Sequence, residues 1–123
     1  MKNKETYQFK KRLYTFVLRL IKFIENLKKT QTSRIIGDQL IRSGTGILGT
    51  YIEGLSASSK REYTNYFNYS LKSANESKVW ICVLRDTGNG DKEEAEHLLK
   101  ELNEISHIFA SSILTLKGKR KTI

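Results

Sequence analysis

The sequence contains two Glu-x-x-His motifs, Glu94 with His97 and Glu104 with His107. Bundle proteins that hold two metal ions use this spacing, because residues three apart share one face of a helix. In those proteins the two motifs come from different helices, whereas here both fall in one predicted helix and are rotated by about 80° from each other. If Leu98 faces the core, His107 points to the opposite side. The pattern is typical of solvated histidines on an acidic face, and we predict no metal site.

The other reactive residues do not form a catalytic set. The single cysteine, Cys82, lies beside an apolar stripe and has no histidine near it in the sequence, as is typical of a small buried side chain. Gly44, Gly46 and Gly49 have the spacing G-x-G-x-x-G, but no strand precedes them, so we expect no phosphate loop. The serines show no nucleophile-elbow pattern. We therefore expect a non-enzymatic protein without a cofactor.

Positive charge is the chemically informative feature of this sequence. The net charge is +9, and residues 30–116 hold nine basic and eleven acidic residues, so the whole excess lies in residues 1–29 and 117–123. Such asymmetry favours a polyanionic partner, nucleic acid before an anionic membrane surface, and the alternative is a basic surface that only aids solubility. The residues predicted to contact phosphates are Lys2, Lys4, Lys10, Lys11, Arg12, Arg19, Lys22, Lys117, Lys119, Arg120 and Lys121.

Length and composition set the class of protein. A chain of 123 residues is predicted to form one domain, and the absence of proline favours long helices. One cysteine suits a reducing compartment. The first residues are charged and lack the apolar core of a signal peptide, and no stretch reaches the roughly 20 apolar residues needed to span a bilayer. We therefore expect a cytoplasmic protein that does not enter a membrane.

Apolar residues recur at helical spacing in four segments, at about residues 5–27, 34–55, 60–85 and 92–116, before a basic tail at 117–123. Candidate N-caps are Thr32 or Ser33 for the second segment, Ser59 for the third and Asp91 for the fourth. The first segment carries more apolar residues than one bundle core needs, Tyr14 and Leu18 among them, and the surplus indicates a protein–protein contact.

The second segment is unusual because it holds five glycines between residues 35 and 54. Each glycine costs a helix about 0.8–1 kcal/mol relative to alanine, so we interpret them as places where other backbones approach closely, from the bundle core and from a second contact such as another subunit. A helix broken near Gly44 to Gly46 is the alternative. The residues predicted to be structural or to lie near an interface are Gln39, Arg42, Ser43, Gly44, Gly46, Glu53, Tyr66 and Trp80.

Four long helices joined by short links predict an all-α, up-down-up-down antiparallel four-helix bundle. In that topology the start of the first helix and the end of the fourth lie at the same end. The two basic clusters, distant in sequence, are therefore expected to form one basic pole.

A series of motifs between about residues 5 and 116 carries a family resemblance: Gln39-Leu40-x-Arg42-Ser43-Gly44-Thr45-Gly46-Ile47, Glu53-Gly54, Lys60 with Tyr63, Ser70-Leu71-Lys72-x-Ala74-x-Glu76-Ser77, and Trp80. In order and spacing it resembles the four-helix bundle proteins called S23-like or 23S rRNA intervening-sequence proteins. This sequence departs from the usual pattern at Gly44 and Gly46, where Ala and Ser are commoner, and at Thr50, where Asn is usual.

The resemblance implies a homopentameric ring of four-helix protomers and an inferred role in binding nucleic acid. A related branch, the accessory variability proteins of diversity-generating retroelements, binds a reverse transcriptase and its RNA through a basic surface. Neither role is enzymatic. We therefore expect an oligomeric bundle that binds RNA or DNA with little sequence preference. The alternative is a protein-interaction scaffold, such as an accessory factor for a reverse transcriptase, that docks its partner on the first helix.

Overall fold

The computed structural model describes residues 2–118, and side chains from residue 4 to residue 118. Its four helices are α1 Lys2–Glu25, α2 Gln31–Leu55, α3 Lys60–Asp86 and α4 Lys92–Leu116. The prediction of an all-α four-helix bundle is confirmed, and no predicted helix end differs from the observed one by more than three residues. None of the helices in the described part of the chain is both long and apolar enough to cross a bilayer.

Side-chain caps begin three of the helices. Ser59 accepts a hydrogen bond from the backbone N–H of Glu62, and Asp91 accepts one from Glu94, as the sequence predicted. The carboxylate of Glu62 accepts hydrogen bonds from the backbone N–H and hydroxyl of Ser58, the residue before the N-cap. These bonds lower the pKa of Glu62, because they favour the ionised carboxylate.

The predicted cap of α2 is wrong. Thr30, rather than Thr32 or Ser33, is the N-cap, and its hydroxyl accepts from the backbone N–H of Ser33 at 3.0 Å. The same hydroxyl donates to the side chain of Asn89, in the turn between α3 and α4, at 2.8 Å. This second partner is 59 residues away in the sequence, so the local pattern could not reveal it.

The helix α2 is continuous through all five glycines, and the alternative of a break near Gly44 is wrong. A Cβ on Gly44 would overlap the side chain of Leu20 in α1, far inside van der Waals contact. On the other side, a Cβ on Gly54 would lie 2.8 Å from the Cβ of Tyr66 in α3. Side chains of two helices of the same chain therefore fill the space beside these glycines, and an approach by another subunit stays a prediction.

The core combines aromatic packing with buried hydroxyl groups. The ring of Phe9 packs edge-on against Tyr51 and Phe109, with centroids 5.2 and 5.3 Å away. Burial raises the pKa of Tyr51 to about 12, so the phenol stays neutral. Between α2 and α3, the Oγ atoms of Ser43 and Ser77 lie 2.8 Å apart, which satisfies polar atoms inside the bundle.

Two turns are joined at one end of the bundle. The backbone carbonyl of Asn89 accepts from the backbone N–H of Lys28 at 3.0 Å, and its side chain accepts from Thr30. Next to it, Gly90 lies against Phe23, where a Cβ would be 2.6 Å from the ring. We call this group of contacts the turn latch, and the end that holds it the latched end.

The opposite end holds the beginnings of α1 and α3 and the ends of α2 and α4. Contacts of Phe9 with Tyr51 and Phe109 fix the start of α1 beside the ends of α2 and α4. Lys4 and Lys117 are therefore at one end of the bundle, together with Lys60, and we call it the basic end.

Candidate nucleic-acid interface

The two ends of the bundle differ in charge. At the basic end, residues 4–11, 52–64 and 107–118 hold six basic and three acidic residues. At the latched end, residues 19–38 and 82–97 hold seven basic and seven acidic residues. A surface with an excess of cations attracts polyanions, and one with balanced charge does not. The basic end is therefore the candidate interface.

The exposed lysines of α1 are the first part of this interface. Lys4, Lys10 and Lys11 are exposed. Lys4 lies at the basic end, and Lys10 and Lys11 lie farther along α1, toward the middle of the bundle. Lys22 is also exposed, but it lies nearer the latched end, on the rim of a 470 Å³ cleft that Asp91 also lines. The structure therefore separates Lys22 from the other predicted lysines.

The two arginines of α1 are paired with acidic residues of α4. Arg12 donates from Nε and Nη2 to the two carboxylate oxygens of Glu101, at 2.7 and 2.9 Å, and from Nη2 to Glu104 at 2.5 Å. Arg19 forms a similar two-bond pair with Glu94, at 2.5 and 3.0 Å. Both arginines were predicted from the sequence to contact phosphates. Their acidic partners could not be predicted from local sequence, since the two members of each pair lie on different helices.

Hydrogen bonding shifts the pKa values of these pairs in the direction that keeps both partners charged. The bonds from Arg12 lower the pKa of Glu101 and raise the pKa of Arg12. Those from Arg19 lower the pKa of Glu94. At neutral pH each guanidinium is thus compensated by a carboxylate, and neither arginine adds to the uncompensated positive charge of the surface.

The helix α3 adds two cations that were not among the residues predicted to contact phosphates. Lys60 and Arg61 are its first two residues, both exposed, and with Lys117 they line a cleft of about 430 Å³ between α3 and the end of α4. Basic and acidic residues nearly cancel over residues 30–116, so the charges of Lys60 and Arg61 did not stand out when they were counted along the chain. The predicted topology contained the signal, because the start of α3 must lie at the same end as the start of α1.

Several predicted phosphate contacts lie outside the described side chains. These are Lys2, Lys119, Arg120 and Lys121. Lys117 is described; it is exposed and follows the last residue of α4.

The histidine motifs face solvent. His97 and His107 are both exposed on α4. The acid of the first motif, Glu94, is engaged by Arg19, and that of the second, Glu104, by Arg12. Within the described residues no three acidic, histidine or cysteine side chains are grouped so that they could hold a metal ion.

Comparison with known proteins identifies the family. A family model described as 23S rRNA-intervening sequence protein matches residues 5–111. The chain belongs to that family. It is also similar to a crystal structure at 1.70 Å resolution of a protein of unknown function from the S23 ribosomal protein family of Bacteroides thetaiotaomicron VPI-5482, with a TM-score of 0.79 and 29% identity over 85% of this chain and 96% of that one. A search of curated proteins gave no match.

Several of the residues that carry the family resemblance pack against neighbouring helices of this 23S rRNA-intervening sequence protein family member. Ser43 and Gly44 are buried, and Gly46 lies beside Ser73, whose Oγ would be 3.3 Å from a Cβ there. Gln39, Tyr66 and Trp80 are half-buried, while Arg42 and Glu53 are exposed. The buried motif residues contact neighbouring helices of their own chain, and a role for the exposed ones between subunits stays a prediction.

Proposed function

We propose that this protein is a non-enzymatic bundle that binds nucleic acid, RNA in the first place, through its basic end. The observation that supports the proposal is the grouping of cations from three helices at one end, Lys4, Lys10 and Lys11 from α1, Lys60 from α3 and Lys117 after α4. The family name, which refers to an intervening sequence of 23S rRNA, favours RNA over DNA.

Lysines at such a surface bind phosphate groups as point charges and read no base identity, so sequence preference is expected to be weak. Binding releases condensed counterions, and affinity falls steeply as salt rises. For six to ten phosphate contacts the loss is about 10³- to 10⁵-fold between about 50 and about 200 mM salt.

A homopentameric ring, which the family resemblance implies, is part of the proposal. Tyr7, Tyr14 and Leu18 are 61%, 55% and 51% exposed on α1, and their spacing places them on one face of the helix. Apolar side chains exposed together favour burial against another subunit. Each protomer of a ring would repeat the net charge of +9, so binding would gain from multivalency. Light scattering of the purified protein tests the ring, and a monomeric mass would contradict it.

Titration of labelled single-stranded RNA, duplex RNA and duplex DNA at two salt concentrations tests nucleic-acid binding. The variant Lys10→Gln/Lys11→Gln is expected to bind nucleic acid less tightly than the wild type, and its affinity is expected to depend less steeply on salt concentration. Its control is Arg12→Gln/Glu101→Gln, which removes both members of one ion pair from the α1–α4 surface and leaves the net charge unchanged. The control is expected to retain more affinity than the lysine variant. Binding that ignores salt, or equal losses in the two variants, would contradict the proposal.

The apolar face of α1 supports a second candidate, an accessory factor for a reverse transcriptase. Tyr14→Glu/Leu18→Glu distinguishes the two uses of this face. If the face joins subunits, the variant changes the mass of the assembly. If it docks an enzyme, the mass stays the same and co-purification with the reverse transcriptase is lost.

A further inference from the structure

We infer that the basic end holds a nucleotide-sized subsite for single-stranded nucleic acid, in the cleft between the start of α3 and the end of α4. The inference rests on the proposed function and narrows it to one place and one form of nucleic acid. It concerns residues that the charge pattern of the sequence did not single out, Lys60, Arg61 and Tyr63.

Two separate pockets open between these two elements, and Leu116 lines both of them. The first, about 430 Å³, is lined by the cations Lys60, Arg61 and Lys117, with Thr64 and Asn65. Cations from two helices converge there. Such a part suits a phosphate group, which lysine, arginine and polar side chains contact at nucleic-acid interfaces.

The second part, about 300 Å³, is aromatic and hydroxyl-bearing. Tyr63 and Phe67 of α3 form one wall, and Ser111, Ser112 and Thr115 of α4 form the other. The volume is at the lower limit of small-molecule sites. An aromatic wall suits a base, which has a π-face in every sequence, and hydroxyl groups suit its polar edge or the ribose.

The side chain of Tyr63 is half-buried and already supported. Its ring packs on Phe67 with centroids 4.6 Å apart, and burial raises its pKa, so the phenol is neutral at physiological pH. A supported ring loses little conformational entropy when a base packs on it. Tyr63 is therefore placed to act as a stacking platform beside the phosphate part.

An aromatic pocket next to a cationic one favours single-stranded nucleic acid over a duplex. A base can enter the aromatic part only if it is unstacked and unpaired, because a base inside a duplex is covered by its neighbours. The backbone phosphate next to that base would reach the cations in the first part. Lysines along α1 contact the backbone of either a duplex or a single strand, whereas this cleft adds affinity for the single strand alone.

The test uses the full chain with a short labelled oligouridine and a blunt RNA duplex of the same length. Lys60→Gln/Arg61→Gln is expected to weaken oligouridine binding about tenfold or more and to reduce the salt slope by about two. The matched control, Lys28→Gln/Lys29→Gln, removes the same charge from exposed positions at the latched end and is expected to bind nearly as the wild type does.

The aromatic part is tested by Tyr63→Leu and Tyr63→Phe. Tyr63→Leu should weaken oligouridine binding about fivefold or more while leaving the salt slope and duplex binding unchanged. Tyr63→Phe keeps the ring and should retain most of the affinity. Circular dichroism confirms that each variant is folded, and Ser112→Glu, which places a carboxylate in the cleft from α4, gives a second reading if Tyr63→Leu unfolds.

The outcomes separate the two proposals. If the wild type binds no nucleic acid at all, both are overturned. If it binds, but the folded cleft variants bind oligouridine as the wild type does, nucleic-acid binding stands and the subsite is overturned. Equal losses for oligouridine and duplex in Tyr63→Leu would also overturn the single-strand subsite.

Discussion

The contacts of α2 and those between α1 and α4 hold the bundle together in different ways. Around α2, Gly44 lets Leu20 approach the helix backbone, and the hydroxyls of Ser43 and Ser77 are hydrogen-bonded inside the bundle. Between α1 and α4, long side chains cross a partly exposed surface, as Arg12 does to reach Glu101. Packing at the first contact excludes water, whereas the charges of the second are screened by it. Stability is therefore expected to depend on α2, and the α1–α4 pairs to set the surface charge.

Gly44→Leu is expected to have the largest effect on stability. Even the new Cβ would overlap Cδ2 of Leu20, which is fully buried, so the core around Leu20 must rearrange, at a cost of about 3 kcal/mol. Urea unfolding followed by circular dichroism measures the loss. The matched control is Gly49→Leu in the same helix, where a Cβ meets nothing within 4 Å. There we expect a gain of up to about 0.8 kcal/mol from helix propensity. A Gly44→Leu protein as stable as the wild type would contradict the close approach of α1.

The buried hydroxyl pair is expected to come next. Ser77→Ala removes the partner of Ser43 and should cost about 1 kcal/mol, because a buried polar atom loses a hydrogen bond. Ser43→Ala/Ser77→Ala removes both members and should cost less than the sum of the two single changes. The four proteins form a double-mutant cycle in urea. Additive losses would show that the two hydroxyls do not interact.

Acid should weaken the α1–α4 contact by a smaller amount. Because Arg12 lowers the pKa of Glu101 in the folded state, the stabilisation is complete above about pH 5, where the glutamate of the unfolded chain is also ionised. It is lost as the pH falls through the lowered pKa. Partial exposure limits the effect to about 0.2–1 kcal/mol. We expect the stability difference between wild type and Glu101→Gln at about pH 7 to vanish at about pH 2. A constant difference would show that the pair does not titrate.

The smallest expected effect is that of Arg19→Gln. Its side chain is 47% exposed and pairs with one carboxylate, whereas that of Arg12 is 33% exposed and pairs with two. We expect a loss below about 0.5 kcal/mol, measured by thermal unfolding beside Arg12→Gln. A loss as large as that of Gly44→Leu would mean that charge, and not packing, holds the bundle.

The sequence predicts features that depend on local order and misses those that depend on partners far along the chain. The caps Ser59 and Asp91 act within one helical turn, and helical periodicity alone gives the four helices. The cap Thr30 could not be chosen over Thr32, because its hydroxyl is also held by Asn89 from another turn. Rules for N-caps consider only residues within about one helical turn, so they cannot take account of a contact with another turn.

The same distinction applies to the candidate site. Exposed Lys10 and Lys11 could be chosen from charge alone, but Arg12 beside them could not be excluded, since its partner Glu101 is 89 residues away. Lys60 was missed because the charges of the central segment balance when they are counted along the chain. The predicted topology allowed the charges to be counted separately for each end of the bundle, and that count assigns Lys60 to the basic end.

The turn latch has a consequence for the kinetics of folding. Thr30 and Asn89 can meet only after both turns have formed and the two helical hairpins have docked, so their contact is expected to be absent from the folding transition state. Contacts of that kind change the rate of unfolding and leave the rate of folding nearly unaltered. We therefore expect changes in the turn latch to alter the lifetime of the folded protein more than the time it takes to fold.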